Sequence, residues 1–217
     1  MEKSKNLLEP RFALKDVTIH KKERVFKQFF AMDRYEVSYK TFNGGNTKVL
    51  VREIFERDAD AVAILVWDDL TDEVALIEQF RPGALKDPES PWLIEIVAGM
   101  IDKGETEKEA AIREVQEEIG VTLTDKDLHY VTFEYPSPGG ASEKVTLFIA
   151  KTSLEHLGNH GGLESESEDL RVFKVPLTEA YDAVKTGRIH NAVAIIGIMT
   201  LYFEKDYIKG KFAKASS

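Results

Sequence analysis

The chain contains no cysteine. That absence excludes disulfide scaffolds, thiol nucleophiles and every cysteine-ligated zinc site. Long apolar runs are also missing. The longest, Ala192 to Phe203, is about 12 residues, which reads as a buried helix and falls short of the ~20 needed to cross a bilayer. The opening MEKSKNLLEPRFALKDVTIH mixes charged and apolar residues without the apolar core of a signal peptide, so a cytoplasmic protein with no membrane contact is expected. Positive charge is in short supply: 29 Lys+Arg face 38 Asp+Glu, for a net charge of -9. That is the wrong sign for wrapping a nucleic-acid backbone, and an acidic protein that binds phosphates needs metal ions or local arginines. His20, His129, His156, His160 and His190 show no i, i+4 pairing and are read as non-ligands.

What is present fits an ordinary globular protein. The 217 residues are 43% hydrophobic and 31% charged, which suits one domain, or one domain with a small appendage. Arg34 to Phe42 and Thr47 to Phe55 alternate apolar and polar residues around Asn43-Gly44-Gly45, which predicts a hairpin. Ala61 to Trp67 is almost continuously apolar and turns through Asp68 to Asp72 into Glu73 to Phe80, a pair expected to be central and covered on both faces. Pro82 to Pro91 reads as a loop and Leu93 to Ala98 as a strand. Helix formers with an apolar stripe of Ala111, Val115 and Ile119 predict a helix from Thr106 to Ile119, stopped by Gly120. Leu128 to Tyr135, Lys144 to Lys151 and Leu170 to Val175 read as strands, and Leu177 to Thr186 and Asn191 to Tyr207 as helices. The expectation is an α/β (α+β) protein with a mixed sheet between helices. It divides into an N-terminal β-region (1–56), a main domain (57–209) and a C-terminal tail (210–217).

The chemistry concentrates between Gly99 and Val121. Arg113-Glu114-Val115-Gln116-Glu117-Glu118 alone reads as a solvated helix face, since glutamate is a good helix former. Its placement argues otherwise. Glu114 and Glu118 are i, i+4 neighbours with Glu117 beside them, so three carboxylates share one strip, with no following lysine to relieve their repulsion. Such a strip suits a hard divalent cation such as Mg²⁺. Glu114 and Glu118 are expected to face solvent and cation rather than core. Glu105, near the helix start, is either a cap or a direct participant.

This segment resembles the signature of the Nudix hydrolase family, G-x5-E-x7-R-E-U-x-E-E-x-G-U with U aliphatic. Gly99, Glu105, Arg113, Glu114, Val115, Glu117, Glu118, Gly120 and Val121 meet every fixed position. Agreement of that extent should arise by chance in on the order of one chain in a million or fewer. The resemblance implies the Nudix fold, with a small N-terminal β-region, and hydrolysis of a nucleoside diphosphate linked to another moiety.

Further along, Ser137-Pro138-Gly139-Gly140-Ala141-Ser142-Glu143 is a plain Pro-Gly turn between strands on its own, but it is similar to an element of the ADP-ribose pyrophosphatase subfamily. The likeness extends through Phe29-Phe30, Arg52 to Arg57, Ile77 to Arg81, Trp92 and Glu166 to Val172. It implies a homodimer in which N-terminal residues help cover the partner's site. Phe29 would pack against the adenine, and Phe30, Arg52, Glu53, Arg57 and Arg81 would contact the substrate. Ser137, Pro138, Gly139 and Glu143 would contact the sugars or the partner. Taken singly, each arginine is as well explained by surface salt bridging.

Ser153 to Asp169 is long for a connection in a compact domain, has no period and carries Gly158, Gly161 and Gly162, so it is a candidate active-site lid. The acids Glu164, Glu166, Glu168 and Asp169 read alone as a solvated cluster. The resemblance implies that Glu166 is the general base. It also implies a metal set of the Ala98 backbone oxygen, Glu114, Glu118 and Glu168, with Glu117 and Arg113 in support. Two or more Mg²⁺, for which Mn²⁺ can substitute, would assist hydrolysis of ADP-ribose to AMP and ribose 5-phosphate. A Nudix enzyme acting on another nucleotide and a non-catalytic ADP-ribose sensor are the competing readings. The intact set of acids speaks against the sensor.

Overall fold

The computed structural model describes residues 7–163, 165 and 167–215. They fall into two compact units, residues 7–58 with 137–142, and residues 59–136 with the described residues from 143 to 215.

The first unit is an antiparallel sheet in the order β1 (Val17–Lys27), β2 (Ala31–Tyr39), β3 (Leu50–Glu56). The expected hairpin is β2 and β3. Its loop uses Gly44 (φ +88) and Gly45 (φ +79), a left-handed backbone that glycine adopts without strain. β1 was not legible, because every one of its residues is exposed and no burial alternation marks it. It is held to β2 by charge as well as by the ladder. Arg24 donates from Nε to Asp33 at 2.7 Å, and Lys22 sits 3.1 Å from the same fully buried carboxylate. Arg24 and Lys27 also reach Asp58, at 2.8 and 2.6 Å. Phe30 packs between Phe29 and Phe55, and Phe55 exchanges backbone hydrogen bonds with Gly140 and Ser142. Sequence analysis did not anticipate that the 137–142 turn belongs with this sheet.

The second unit is built on a mixed sheet in the order β10 (His160–Gly161), β11 (Leu170–Pro176), β5 (Glu73–Phe80), β4 (Ala61–Asp68), β9 (Val145–Lys151), β8 (Leu128–Glu134). β4 and β9 run parallel, and the other neighbours antiparallel. The strand expected over Leu93 to Ala98 is in fact two, β6 (Trp92–Glu95) on β5 and β7 (Val97–Met100) on β4. The step at Ile96 follows from β4 and β5 pairing only at their turn end, so one extended segment serves both.

β4 is apolar along its whole length because both its faces are covered. Val62, Ile64 and Val66 meet α1 (Glu107–Ile119) through Ala111, Val115 and Ile119. Ala63, Leu65 and Trp67 meet α2 (Leu177–Lys185) and α3 (Ala192–Ala215) through Leu177, Ala194, Ile198 and Leu201. The mixed sheet between helices is therefore as expected. α3 runs past Tyr207, with non-helical geometry at Glu204, and Phe212 is buried in the core. Residues 210–215 are thus helix rather than tail. Among the described residues, no helix is long and apolar enough to cross a membrane.

Burial sets what a truncation costs. Leu65 is 0% exposed and Leu70, in the turn that follows, is 89% exposed. Leu65→Ala should cost about 2–5 kcal/mol in urea unfolding, and Leu70→Ala no more than about 0.5 kcal/mol. Equal costs would contradict this account of the core.

Candidate active site

The site begins with the ends of α1. Thr106 caps the helix by accepting from the Glu109 N–H (3.3 Å), and Glu109 accepts in return from the Thr106 N–H (2.8 Å). This reciprocal arrangement was present in the sequence as T-x-x-E. At the other end Gly120 takes φ +70 and its N–H reaches the Gln116 carbonyl at 3.1 Å. With both ends set, the Ala111, Val115 and Ile119 stripe turns into the sheet, and Glu114 and Glu118 are aimed at β7.

They do not face solvent, contrary to the expectation from sequence. Glu114 is 9% and Glu118 2% exposed. Burial arises because β7 lies under them. The Glu114 carboxylate rests on Gly99, where a Cβ would overlap it, and Glu118 accepts from the Ala98 N–H at 3.3 Å. Ala98 is held in place by pairing with Ala63 of β4.

Arg113 organises the rest. A guanidinium has five N–H donors, and this one uses its Nε on Glu105 (2.9 Å) and its Nη2 on Glu105 (2.9 Å) and on the Met100 carbonyl (3.0 Å). Its Nη1 serves Glu114 (2.7 Å) and Glu117 (2.9 Å). Glu105 also accepts from the Asp102 N–H at 3.0 Å. Glu105 is therefore Arg113's orienting partner, and the helix cap is Thr106. The Glu105 carboxyl is held below the usual range, chiefly by Arg113.

Electrostatics distinguish the two buried acids. Desolvation, followed by the charges of Glu114 and Glu168, pushes Glu118 up to about 9. Glu114 is also raised by burial, but Arg113 opposes the rise. Arg81 acts on Glu118 from a distance while donating to Glu95 through Nε at 2.8 Å. A buried carboxylate without an ion pair is costly, and among the described residues none is formed to Glu118. Hard oxygen donors around an uncompensated carboxylate fit a divalent cation such as Mg²⁺. Among the described residues, however, no three acidic or histidine side chains converge as a ready ligand set. Glu114 and Glu117 are drawn to Arg113, and the Glu168 carboxylate accepts from the Leu163 N–H at 3.4 Å.

Other expected residues lie as follows. Glu166, the expected base, and Glu164 are outside the described residues. Phe29 is 75% exposed, Arg52 and Glu53 are exposed on β3, and Arg57 stacks over Phe30 at 5.6 Å, all within the first unit. Ser137, Pro138 and Gly139 form an exposed turn closed by the Gly140 and Ala141 N–H groups on the Ser137 carbonyl. Glu143 lies near Glu134, whose carboxyl is raised first by burial and then by that charge. Among the histidines, His129 packs against Tyr207 and Phe212, and His20 bonds Ser38. Sequence reasoning missed the Met100 carbonyl and the close approach of Gly161 to the Glu118 backbone. Only the Gly161-Gly162 doublet hinted at the latter.

The NUDIX domain model matches residues 57–194. The chain is 38% identical over 202 residues, 93% of its length and 95% of the relative's, to a protein from Escherichia coli (strain K12) named ADP-ribose pyrophosphatase. A protein of the same name from Haemophilus influenzae is 36% identical over 193 residues, 88% of each chain. A solved structure titled as that of an ADP compounds hydrolase superimposes with TM-score 0.66 at 26% identity, covering 92% of this chain and 98% of that one.

The buried acid gives a pH signature. Glu118 releases its proton near pH 9 when folded, against 4.5 as its ordinary value. Between those values the folded state holds the extra proton, so this group's stabilisation is complete below about pH 4.5 and is lost as pH rises through about 9. In EDTA, the melting temperature should fall from pH 5 to 9, and Glu118→Gln should flatten that fall. An unchanged slope in the variant would refute the assignment.

Proposed function

Because the chain belongs to the NUDIX domain family, we propose that this hydrolase cleaves the pyrophosphate bond of ADP-ribose, giving AMP and ribose 5-phosphate in a metal-dependent reaction. The observation that carries the reaction class is the pair of buried carboxylates on the β7 backbone, steered by Arg113. The substrate rests on relatives named for ADP-ribose and on the Ser137 to Glu143 element.

In this reading Glu114, Glu118, Glu168 and the Ala98 carbonyl hold Mg²⁺, with Glu117 alongside. Bound there, Mg²⁺ or Mn²⁺ neutralises the diphosphate and makes a water more acidic. Glu166 takes the proton from the attacking water. Arg81 keeps a cation beside the acids, and its planar fork suits a phosphate better than a lysine would. Arg113 keeps Glu114 and Glu117 oriented through its Nη1 hydrogen bonds. Phe29 offers a ring face to the adenine, and Phe30, Arg52, Glu53, Arg57, Ser137, Pro138, Gly139 and Glu143 complete substrate recognition. The protein is a homodimer, because β1 exposes Ile19, Val25 and Phe26 along a strand with no buried residue, a surface suited to a second copy.

Glu114→Gln and Glu118→Gln should each abolish Mg²⁺-dependent turnover without changing the circular dichroism spectrum. Full wild-type activity in EDTA would remove the metal from the mechanism. A panel of ADP-ribose, sugar nucleotides, NAD-type dinucleotides and nucleoside triphosphates, with an added alkaline phosphatase that frees phosphate from monoester products such as AMP and ribose 5-phosphate, tests the substrate; turnover led by another compound reassigns it.

Glu166→Gln keeps size and hydrogen bonding but cannot accept the proton, so kcat should fall by roughly 10²- to 10⁴-fold while ADP-ribose still binds. Glu164→Gln is the control. An equal effect in both, or in neither, places the base elsewhere. Light scattering at micromolar concentration should give twice the chain mass, and an active monomer would sink the dimer.

A further inference from the structure

We infer that Gly161 and Gly162 are positioning residues that set the distance between Glu168 and the carboxylates of α1. β10 is an edge strand on β11, paired His160 with Arg171 and Gly161 with Leu170, and it packs on α1. At Gly161 the approach is so close that a Cβ would overlap the Glu118 carbonyl oxygen. That oxygen is helix backbone and cannot rotate aside, so only glycine lets the two segments meet at this separation.

Gly162 continues the device. Its φ of +89 turns the chain back, and a Cβ there would stand 2.9 Å from the Glu168 Cβ and 3.1 Å from the Leu170 Cγ. The turn closes with the Glu168 N–H donating to the Leu163 carbonyl at 3.2 Å and the Leu163 N–H to the Glu168 carboxylate at 3.4 Å. Close contacts thus run unbroken from Glu118 through Gly161 and Gly162 to Glu168. An added methyl at either glycine must move the turn relative to α1. Gly158, in the same connection, is different: a Cβ there would meet nothing closer than the His160 carbonyl at 3.7 Å, an ordinary contact.

The inference rests on the reading of Glu168 as part of the cation site. It is tested by titrating Mn²⁺, followed by electron paramagnetic resonance, into wild type, Gly158→Ala, Gly161→Ala and Gly162→Ala, with kcat and KM for ADP-ribose measured in parallel. Gly161→Ala and Gly162→Ala should bind Mn²⁺ about 10- to 100-fold more weakly and lose roughly 10²-fold in kcat, with KM little changed. Gly158→Ala should match wild type. A purely structural role would lower the melting temperature and leave the Mn²⁺ affinity of the folded protein intact; that result overturns the inference. If Gly161→Ala is insoluble, Gly162→Ala decides, and failure of both to fold counts against it by making the glycines requirements of the fold. Wild type that binds Mn²⁺ but turns over no nucleotide overturns the proposed function alone, whereas wild type that binds no Mn²⁺ overturns both.

Discussion

The arrangement depends on one guanidinium. Arg113 spends its donors on Glu105, Glu114, Glu117 and the Met100 carbonyl, so a single side chain ties the loop before α1, the helix itself and the end of β7. Fork geometry makes those bonds directional, and partial burial strengthens them. A lysine would present one point of charge and could not hold three carboxylates and a carbonyl in fixed directions.

That tie permits an otherwise unfavourable feature. Two glutamates one helical turn apart repel, and burying both removes the water that would screen them. Arg113 compensates Glu114, whereas among the described residues Glu118 keeps only a backbone N–H and the distant influence of Arg81. Local stability is thus given up for a buried acid whose ionised form has no ion pair among the described residues. The layers around it are rigid, since β4 beneath is covered on both faces and α1 is capped at both ends. Placing the carboxylates on such elements, rather than on loops, gives directional precision that a flexible segment cannot offer.

The first unit follows a different logic. Its sheet has little core of its own, and Asp33, fully buried, is neutralised by Arg24 and Lys22. β1 carries apolar side chains outward along its length. A strand of that kind is stable in water only through its ladder and charge pairs, or when another surface covers it.

Much of this was legible beforehand because it is encoded locally. The helix formers from Thr106 onward and the stop at Gly120 mark a helix within a few residues, the period of Ala111, Val115 and Ile119 orients it, and the unbroken apolar run of β4 announces cover on both faces, whereas the Thr106–Glu109 cap went unread. The spacing of Glu114, Glu117 and Glu118 placed the acids on one strip by helix geometry alone. The exposed β1 left no pattern to read, and α3 was ended early because charged residues after Phe203 obscured its buried side. What only tertiary structure decided is long-range. Glu114 and Glu118 are buried because β7 lies under them; the strand over Leu93 to Ala98 divides because β4 and β5 diverge; Gly161 matters because it meets a carbonyl far away in the chain. Spacing along one helix is a property of neighbouring residues, whereas burial, charge compensation and close approach belong to pairs of segments that chain order alone does not bring together.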